Sequence, residues 1–323
     1  MSRRRLGLAA AALALTVPLA GCMTVHGERA LIPSATRAQA AQVLAHFAAQ
    51  NNKATKAYDE QAVASIEAGP LGAIDQAGVR ARHVNSPQGN PDFTPLVFSD
   101  TTYVIPKQRG WPKFFLAETK TNRNGDARWL LAFRRSSPTD PWKADFLATA
   151  APGALPDFLV DKDGYARAVP LAGTDLLVQP GQLSSQYARY LDAGDTSGTP
   201  FAPGPATTGV RADHQQNAKS ANTVTQYADQ ADTAGDFAPV ALRTKDGGAM
   251  VFFASRHQSR STFRAGYRLN LDKDTQALTS GTPKTSITLS HVAQSMVRVP
   301  AKSAGGQVEF LSRLVGLVSA TGA

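Results

Sequence analysis

The stretch "DFTPLVF" at Asp92–Phe98 recurs as "DFAPVAL" at Asp236–Leu242, 144 residues further on. Working outward from this pair, one order of residue patterns is met twice. At the same offset "TRAQAAQVLAHF" (36–47) faces "PGQLSSQYARYL" (180–191), so Val43 and Phe47 match Tyr187 and Leu191. Beyond it "KFFLAE" (113–118) matches "VFFASR" (251–256), and "WLLAFRR" (129–135) matches "FRAGYRL" (263–269). The offset falls to 138 and then 134, as it does when loops shorten and strands keep their apolar positions. Order and alternation preserved over a whole domain length point to an internal duplication.

Each half runs from a helix to short strands. Ser34 or Thr36 can cap a helix whose apolar positions Ala40, Val43, Leu44, Phe47 and Ala48 fall at helical spacing, with an end near Tyr58. From Phe93 the pattern becomes "FTPLVFSDTTYVIP", "KFFLAETKT", "ARWLLAFRR" and "WKADFLATA", divided by turn chemistry such as "NRNGD" and "SSPTDP". "TNRNGDA" predicts a hairpin, because Asn124 and Gly125 tolerate positive φ. The expected fold class is α+β: two similar domains, 34–154 and 179–323, each a helix packed on a curved antiparallel sheet. The connecting segment 155–178 has several prolines and two turn-like centres and can add a hairpin of its own. "DTSGTPFAPGPATTG" (195–209) reads as a loose loop inside the second domain.

The last stretch, "GGQVEFLSRLVGLVSATGA", carries two conflicting patterns. Phe310, Leu311, Leu314, Val315 and Val318 fit a helical stripe, yet a mid-helix Gly316 weakens a helix by about 1 kcal/mol, and valine and phenylalanine favour a pleated surface. Gly305 and Gly306 form a natural hairpin connection, so an antiparallel strand is expected over 307–319. Leu311, Val315 and Leu317 then share a face, and Arg313 must reach solvent at the sheet edge or find a carboxylate.

The N-terminus decides location. Arg3, Arg4 and Arg5 precede an uncharged apolar run, Leu6–Leu19, and small residues Ala20 and Gly21 lead into Cys22, the single cysteine of the 323 residues. This is the plan of a secretory signal peptide over 1–21, too short to span a bilayer well, followed by a tether over 22–33. "LAGC" (Leu19–Cys22) resembles the lipobox of bacterial lipoproteins. In that family a diacylglyceryl group is attached to the cysteine sulfur, and cleavage between the residues corresponding to Gly21 and Cys22 makes the cysteine the first residue. The resemblance implies an exported protein held by its lipid at the outer face of the cell membrane; two acyl chains anchor stably where one is marginal.

With no thiol beyond Cys22, the fold must rest on burial alone, without disulfides or a cysteine-held metal. Hydrophobic residues at 42% and charged residues at 18% describe a globular chain. The formal charge of +9 includes the three leader arginines, which leaves about +6 on the mature chain. Its basic residues are dispersed among acidic ones without interleaved aromatics, which argues against nucleic-acid binding and suits an anionic envelope surface.

One helix followed by a curved antiparallel sheet, found twice, is similar to the cone-shaped fold of nuclear-transport-factor-2-like domains and more loosely to the cystatin-like fold. Lipobox and paired domains together resemble a group of actinobacterial cell-envelope lipoproteins. The fold resemblance implies a concave sheet face closed by the helix into a pocket, but function does not follow from fold.

Chemical motifs are sparse. "DKDG" (161–164) opens like a calcium loop, but Ala172 stands where the bidentate carboxylate is required, so it is read as a turn. No two of His26, His46, His83, His214, His257 and His291 lie at a spacing that puts two metal ligands on one helix turn. No serine sits in G-x-S-x-G, and "GAIDQAG" lacks phosphate-loop glycines ahead of a lysine. Asp100 and Tyr103, three apart on one strand, point to opposite faces. No catalytic, cofactor-binding or metal residues are therefore assigned. The function expected is that of a membrane-anchored binding or interaction module of the envelope, its partners being the membrane through Cys22 and an envelope protein or small apolar ligand. Two alternatives stay open: a carrier of a small apolar ligand or lipid, with a dry cavity, and a pocket enzyme of isomerase or dehydratase type, with an ionisable group buried inside one cone.

Overall fold

The computed structural model of the protein describes residues 30–123 and 125–323. The signal segment, the Gly21–Cys22 cleavage and lipidation site and the tether through residue 29 lie outside the described residues, as does Asn124 of the expected hairpin.

A short strand, β1 (Ile32–Pro33), leads into α1 (Arg37–Ala57). The Thr36 side chain caps α1 by accepting from the Gln39 N–H at 3.0 Å, and Tyr58 ends it in the left-handed region at φ 52°. Asp59 at once caps α2 (Glu60–Ile66), accepting from the Ala62 N–H at 3.0 Å, and α3 (Gly69–Asn85) follows. The sequence predicts one helix here, and three form. Gly69, Gly72 and Gly78 lower the helix propensity of α3, which forms because Leu71, Ala77, Val79 and Ala81 are buried.

The strands β2 (Phe98–Val104), β3 (Pro106–Gln108), β4 (Lys113–Thr121), β5 (Arg128–Arg135) and β6 (Lys143–Ala150) come next. β2, β4, β5 and β6 form an antiparallel sheet in that order, while β3 joins β1 and β7 (Ala166–Arg167) in a small separate sheet. The second half begins with α4 (Leu183–Asp192). A single π turn at Pro205–Gly209 runs into α5 (Val210–Asn217), so part of the expected loose loop is helical. Then come β8 (Thr223–Asp232), β9 (Val240–Arg243), β10 (Ala249–Phe263), α6 (Lys273–Ala277), β11 (Thr279–Ser280), β12 (Ser286–Val299) and β13 (Glu309–Gly322). Their sheet has the order β11-β13-β12-β10-β8, with β9 paired to the start of β10.

The central strands of both sheets bury apolar side chains on both faces. Phe115, Leu131 and Phe133 of the first pack under α1 against Leu44 and Phe47, with Phe115 stacked on Phe133 at 5.1 Å. Phe253 and Val297 of the second pack under α4 against Leu183 and Tyr187. The remaining faces meet in one core, in which Phe114, Leu116, Leu130 and Phe146 touch the cluster of Leu242, Phe252 and Met296. Each such buried side chain contributes about 1.5–3 kcal/mol. Consecutive phenylalanines thus serve opposite faces: Phe114 and Phe252 the shared core, Phe115 and Phe253 the helices.

The halves interlock at their edges. The free N–H groups of edge strand β6 are taken by the second sheet: Leu147 donates to Gln294 Oε1 at 2.7 Å and Thr149 to Ser312 Oγ at 3.1 Å. α3 lies against β13, where a Cβ on Gly316 would run into Ile74. Arg134 forms a buried ion pair with Asp145 at 2.5 Å and donates to the carbonyls of Gly235 and Ala238. Segment 155–178 is a strap that pairs with both halves: β7 runs parallel to β3, and Phe158 and Ala168 bridge to Thr244 and Leu242.

Two of the four matched stretches hold equivalent places. Residues 36–47 and 180–191 run into α1 and α4, and the Phe114–Phe115 and Phe252–Phe253 pairs lie on the second long strand of each sheet, β4 and β10. The other two do not. "DFTPLVF" enters β2, the first strand of its sheet, whereas "DFAPVAL" enters the short β9; "WLLAFRR" is β5, whereas "FRAGYRL" is the end of β10 and the turn beyond. β10 has 15 residues against 9 in β4, which carries any fixed offset out of step.

The strand expected over 307–319 forms as β13, antiparallel to β12. A bulge near Leu311 turns that side chain into the shared core, away from Val315 and Leu317, and Arg313 faces His257 instead of the sheet edge.

Candidate functional site

Under α1–α3 the first sheet leaves a cavity of about 260 Å³. Apolar side chains of Phe47, Leu71, Leu96 and Leu131 line part of it, and the larger, polar share of its lining comes from Asn51, Thr55, Glu67, Asp75, Arg82, Arg123 and Trp129. The helices bring these groups together. Leu71, Asp75, Val79 and Arg82 form one stripe of α3. Glu67 closes α2, its backbone bridged to Ala144 at the start of β6, and the next N–H, of Ala68, donates to the Ala144 carbonyl at 3.0 Å.

Glu67 is 1% exposed, its carboxyl facing only the Asn51 and Asp75 side chains, and the indole Nε1–H of Trp129 is buried and unpartnered. Burial pushes the Glu67 carboxyl well above the usual carboxylate range, and the neighbouring Asp75 pushes it further. Burial also raises Asp75 to about 6, with the Arg82 guanidinium holding it back. The two carboxyls therefore titrate together, and both resist ionising. Two carboxyl groups, an indole N–H, a carboxamide and two guanidinium groups converge on a small polar cavity. Such a set can bind a hydrogen-bonding ligand or pass a proton to and from one.

A second polar cluster lies beneath α4. His257 of β10 is directly opposite Asp229 of β8 and His291 of β12. Its Nδ1 is 2.5 Å from Asp229 Oδ1, and its Nε2 is 2.8 Å from Ser255 Oγ and 3.2 Å from Arg313 Nη2. Arg313 can only donate, so Nε2 is the accepting nitrogen and Nδ1 donates to the Asp229 carboxylate. The connectivity is that of an Asp–His–Ser relay, but Ser255 is 0% exposed and its hydroxyl meets only His257 of the same strand. Burial depresses the pKa values of His214 and His291 around it.

Asp100 and Tyr103 do not meet. A register shift between Ser99 and Thr102 sets Asp100 in the left-handed region at φ 49°, where it pairs with Arg128 at 2.8 Å, while Tyr103 packs edge-on to Phe115. The "DKDG" turn is closed by its own chain, Asp161 accepting from the Asp163 and Tyr165 N–H groups. Glu67, Asp75, Asp229 and His257 went unassigned in the sequence. For Asp75 a signal existed, an acid inside the apolar stripe of "LGAIDQAGV"; the Asp229–His257 pair needs the strand register.

Residues 31–322 match the family described as Domain of unknown function (DUF8094), and the chain belongs to that family. An uncharacterized lipoprotein of Streptomyces coelicolor is 45% identical over 98% of this chain and 94% of its own length. An uncharacterized lipoprotein of Streptomyces avermitilis is 41% identical, over 97% and 93%. A second from Streptomyces coelicolor is 25% identical, over 99% and 94%. No solved structure matches the chain. Among the described residues no helix is long and apolar enough to cross a membrane.

Proposed function

We propose that this protein is a lipoprotein tethered through Cys22 to the outer face of the cell membrane, and that its first half binds a small polar molecule in the Glu67–Asp75 cavity. The lipobox residues Leu19–Cys22 and the names of the Streptomyces relatives support the anchor. One observation carries the binding site: the Glu67 carboxyl is buried at the cavity wall with only the Asn51 and Asp75 side chains as polar neighbours, which leaves it acceptor capacity for a ligand donor. A cavity of about 260 Å³ admits a small amine or polyol and is short for an acyl chain. Its polar lining weighs against a carrier of purely apolar ligands.

The raised Glu67 and Asp75, the latter at about 6, also support a second reading, acid–base chemistry on the bound molecule, since two neighbouring carboxyls that resist ionising can hold and pass a proton. The same view treats the halves as duplicated cones of the nuclear-transport-factor-2-like kind; the placement of α1 and α4 and of the two phenylalanine pairs supports it.

Cys22→Ala should abolish labelling by a fatty-acid probe and release the chain from membranes; undiminished labelling refutes the anchor. For the cavity, the melting temperature is followed against small alkylamines and polyols. A compound that stabilises the wild type should lose its effect in Glu67→Ala, and an equal shift in both places its binding elsewhere.

A further inference from the structure

Six of the ten exposed large apolar side chains among the described residues lie in one region: Leu31, Ile32, Trp111, Leu159, Val160 and Leu171. The other four, Val84, Val97, Val224 and Val315, are valines from four other elements or loops. Leu31 borders two adjoining hollows, of about 480 and 650 Å³. One also touches Trp111 and Leu171, the other Leu159 and Val160, and both share Lys107, Arg109, Ala168 and Pro170. The region is well braced, because β1 pairs with β3, β3 with β7, and the strap returns to β9.

Its charge is positive where it is unpaired. Lys107 is matched by Asp161 at 2.5 Å and Asp163 at 3.3 Å. Exposed Arg109 and Arg167 form no ion pair among the described residues. Arg135 lies over the rings of Trp111 and Trp142, at 5.1 and 5.7 Å, and donates only to carbonyls.

The described chain starts at Ala30, beside this patch. Cys22 is eight residues earlier, a reach of at most about 29 Å when fully extended. An anchor at Cys22 therefore keeps the Leu31 face within that reach of the lipid. Apolar and aromatic side chains beside unpaired arginines are what an anionic lipid–water interface accommodates. From this placement, and resting on the anchor assigned to Cys22, we infer that the Leu31–Trp111–Leu171 face docks on the anionic outer leaflet holding the lipid. Trp111 and Leu171 enter the headgroup region, and Arg109 and Arg167 meet lipid phosphates.

The test uses the lipidated chain reconstituted into phosphatidylglycerol–phosphatidylcholine vesicles, with or without brominated acyl chains. Trp111 should be quenched by the brominated lipid. Trp111→Phe should remove most of that quenching, since Trp129 and Trp142 are mostly buried. Arg109→Glu with Arg167→Glu should weaken it, as should vesicles of phosphatidylcholine alone. Flotation with the vesicles but no quenching at Trp111 overturns the docking and leaves the anchor standing. Failure to float overturns both, and crosslinking of two chains through position 171 without quenching assigns the face to a second copy instead.

Discussion

Asp75→Asn tests whether the cavity carries the electrostatic load described. In the folded chain the Asp75 carboxyl titrates at about 6 instead of its ordinary 3.8. At 1.36 kcal/mol per unit the difference amounts to about 3 kcal/mol. Below pH 3.8 the carboxyl is protonated in both states and affects nothing. As pH rises, the unfolded chain ionises first, so native stability declines through the interval up to about 6, and the whole deficit is present above it. Asparagine keeps the shape and cannot ionise. The variant should match the wild type at pH 3.5 and exceed it at pH 8 by up to about 3 kcal/mol. Arg82 is exposed and loses little when its partner is neutralised. Urea unfolding followed by circular dichroism at the two pH values reads this directly; with a slope of about 3 kcal/mol per molar urea the midpoint at pH 8 moves by on the order of 1 M. Equal midpoint shifts at both pH values, or a destabilised variant at pH 8, would refute the account of the cavity.

Other perturbations probe the packing between the halves. Gly316→Ala should destabilise by about 1–3 kcal/mol through collision with Ile74, and Ile74→Ala in the same chain should restore much of the melting temperature. Arg134→Met leaves Asp145 buried without its cation and should lower stability by about 3–5 kcal/mol. Burial already holds Asp145 at about 7, so that loss should be milder at pH 5 than at pH 8, as denaturant midpoints will show. The half-buried His214 and His291, whose pKa values are lowered, act in the opposite sense: the unfolded chain takes up protons first as pH falls through 6.5, so stability drops on the acid side, and His291→Gln should flatten that limb of the thermal-melt profile.

What the sequence disclosed follows from which residues speak locally. α1 was legible because its cap and its stripe lie within a dozen residues, and β4–β6 because strands buried on both faces form continuous apolar runs between strong turns. β13 was legible from its valines and the Gly305–Gly306 turn, but the reason for Gly316 is Ile74, more than 200 residues earlier. α2 and α3 stayed hidden because the glycines of α3 and the seven-residue length of α2 give weak local signals that tertiary burial overrides. The candidate site suffered the same way. Glu67 and Asp75 belong to different helices, and the Asp229–His257–Arg313 cluster to three strands, so neither set has a spacing to read.

The strap over 155–178 has a consequence for what holds the chain together. Its Asp161–Gly164 turn is at the surface, and on either side the backbone is pinned to one half or the other. A single cut in that turn would sever the polypeptide without exposing the Phe146–Phe252 contact or freeing the β6 edge from Gln294 and Ser312. The two fragments would stay together as a native-like heterodimer, and the melting temperature would then depend on protein concentration. In covalent terms this is one chain; in thermodynamic terms it is two subunits that the strap holds at a high effective concentration.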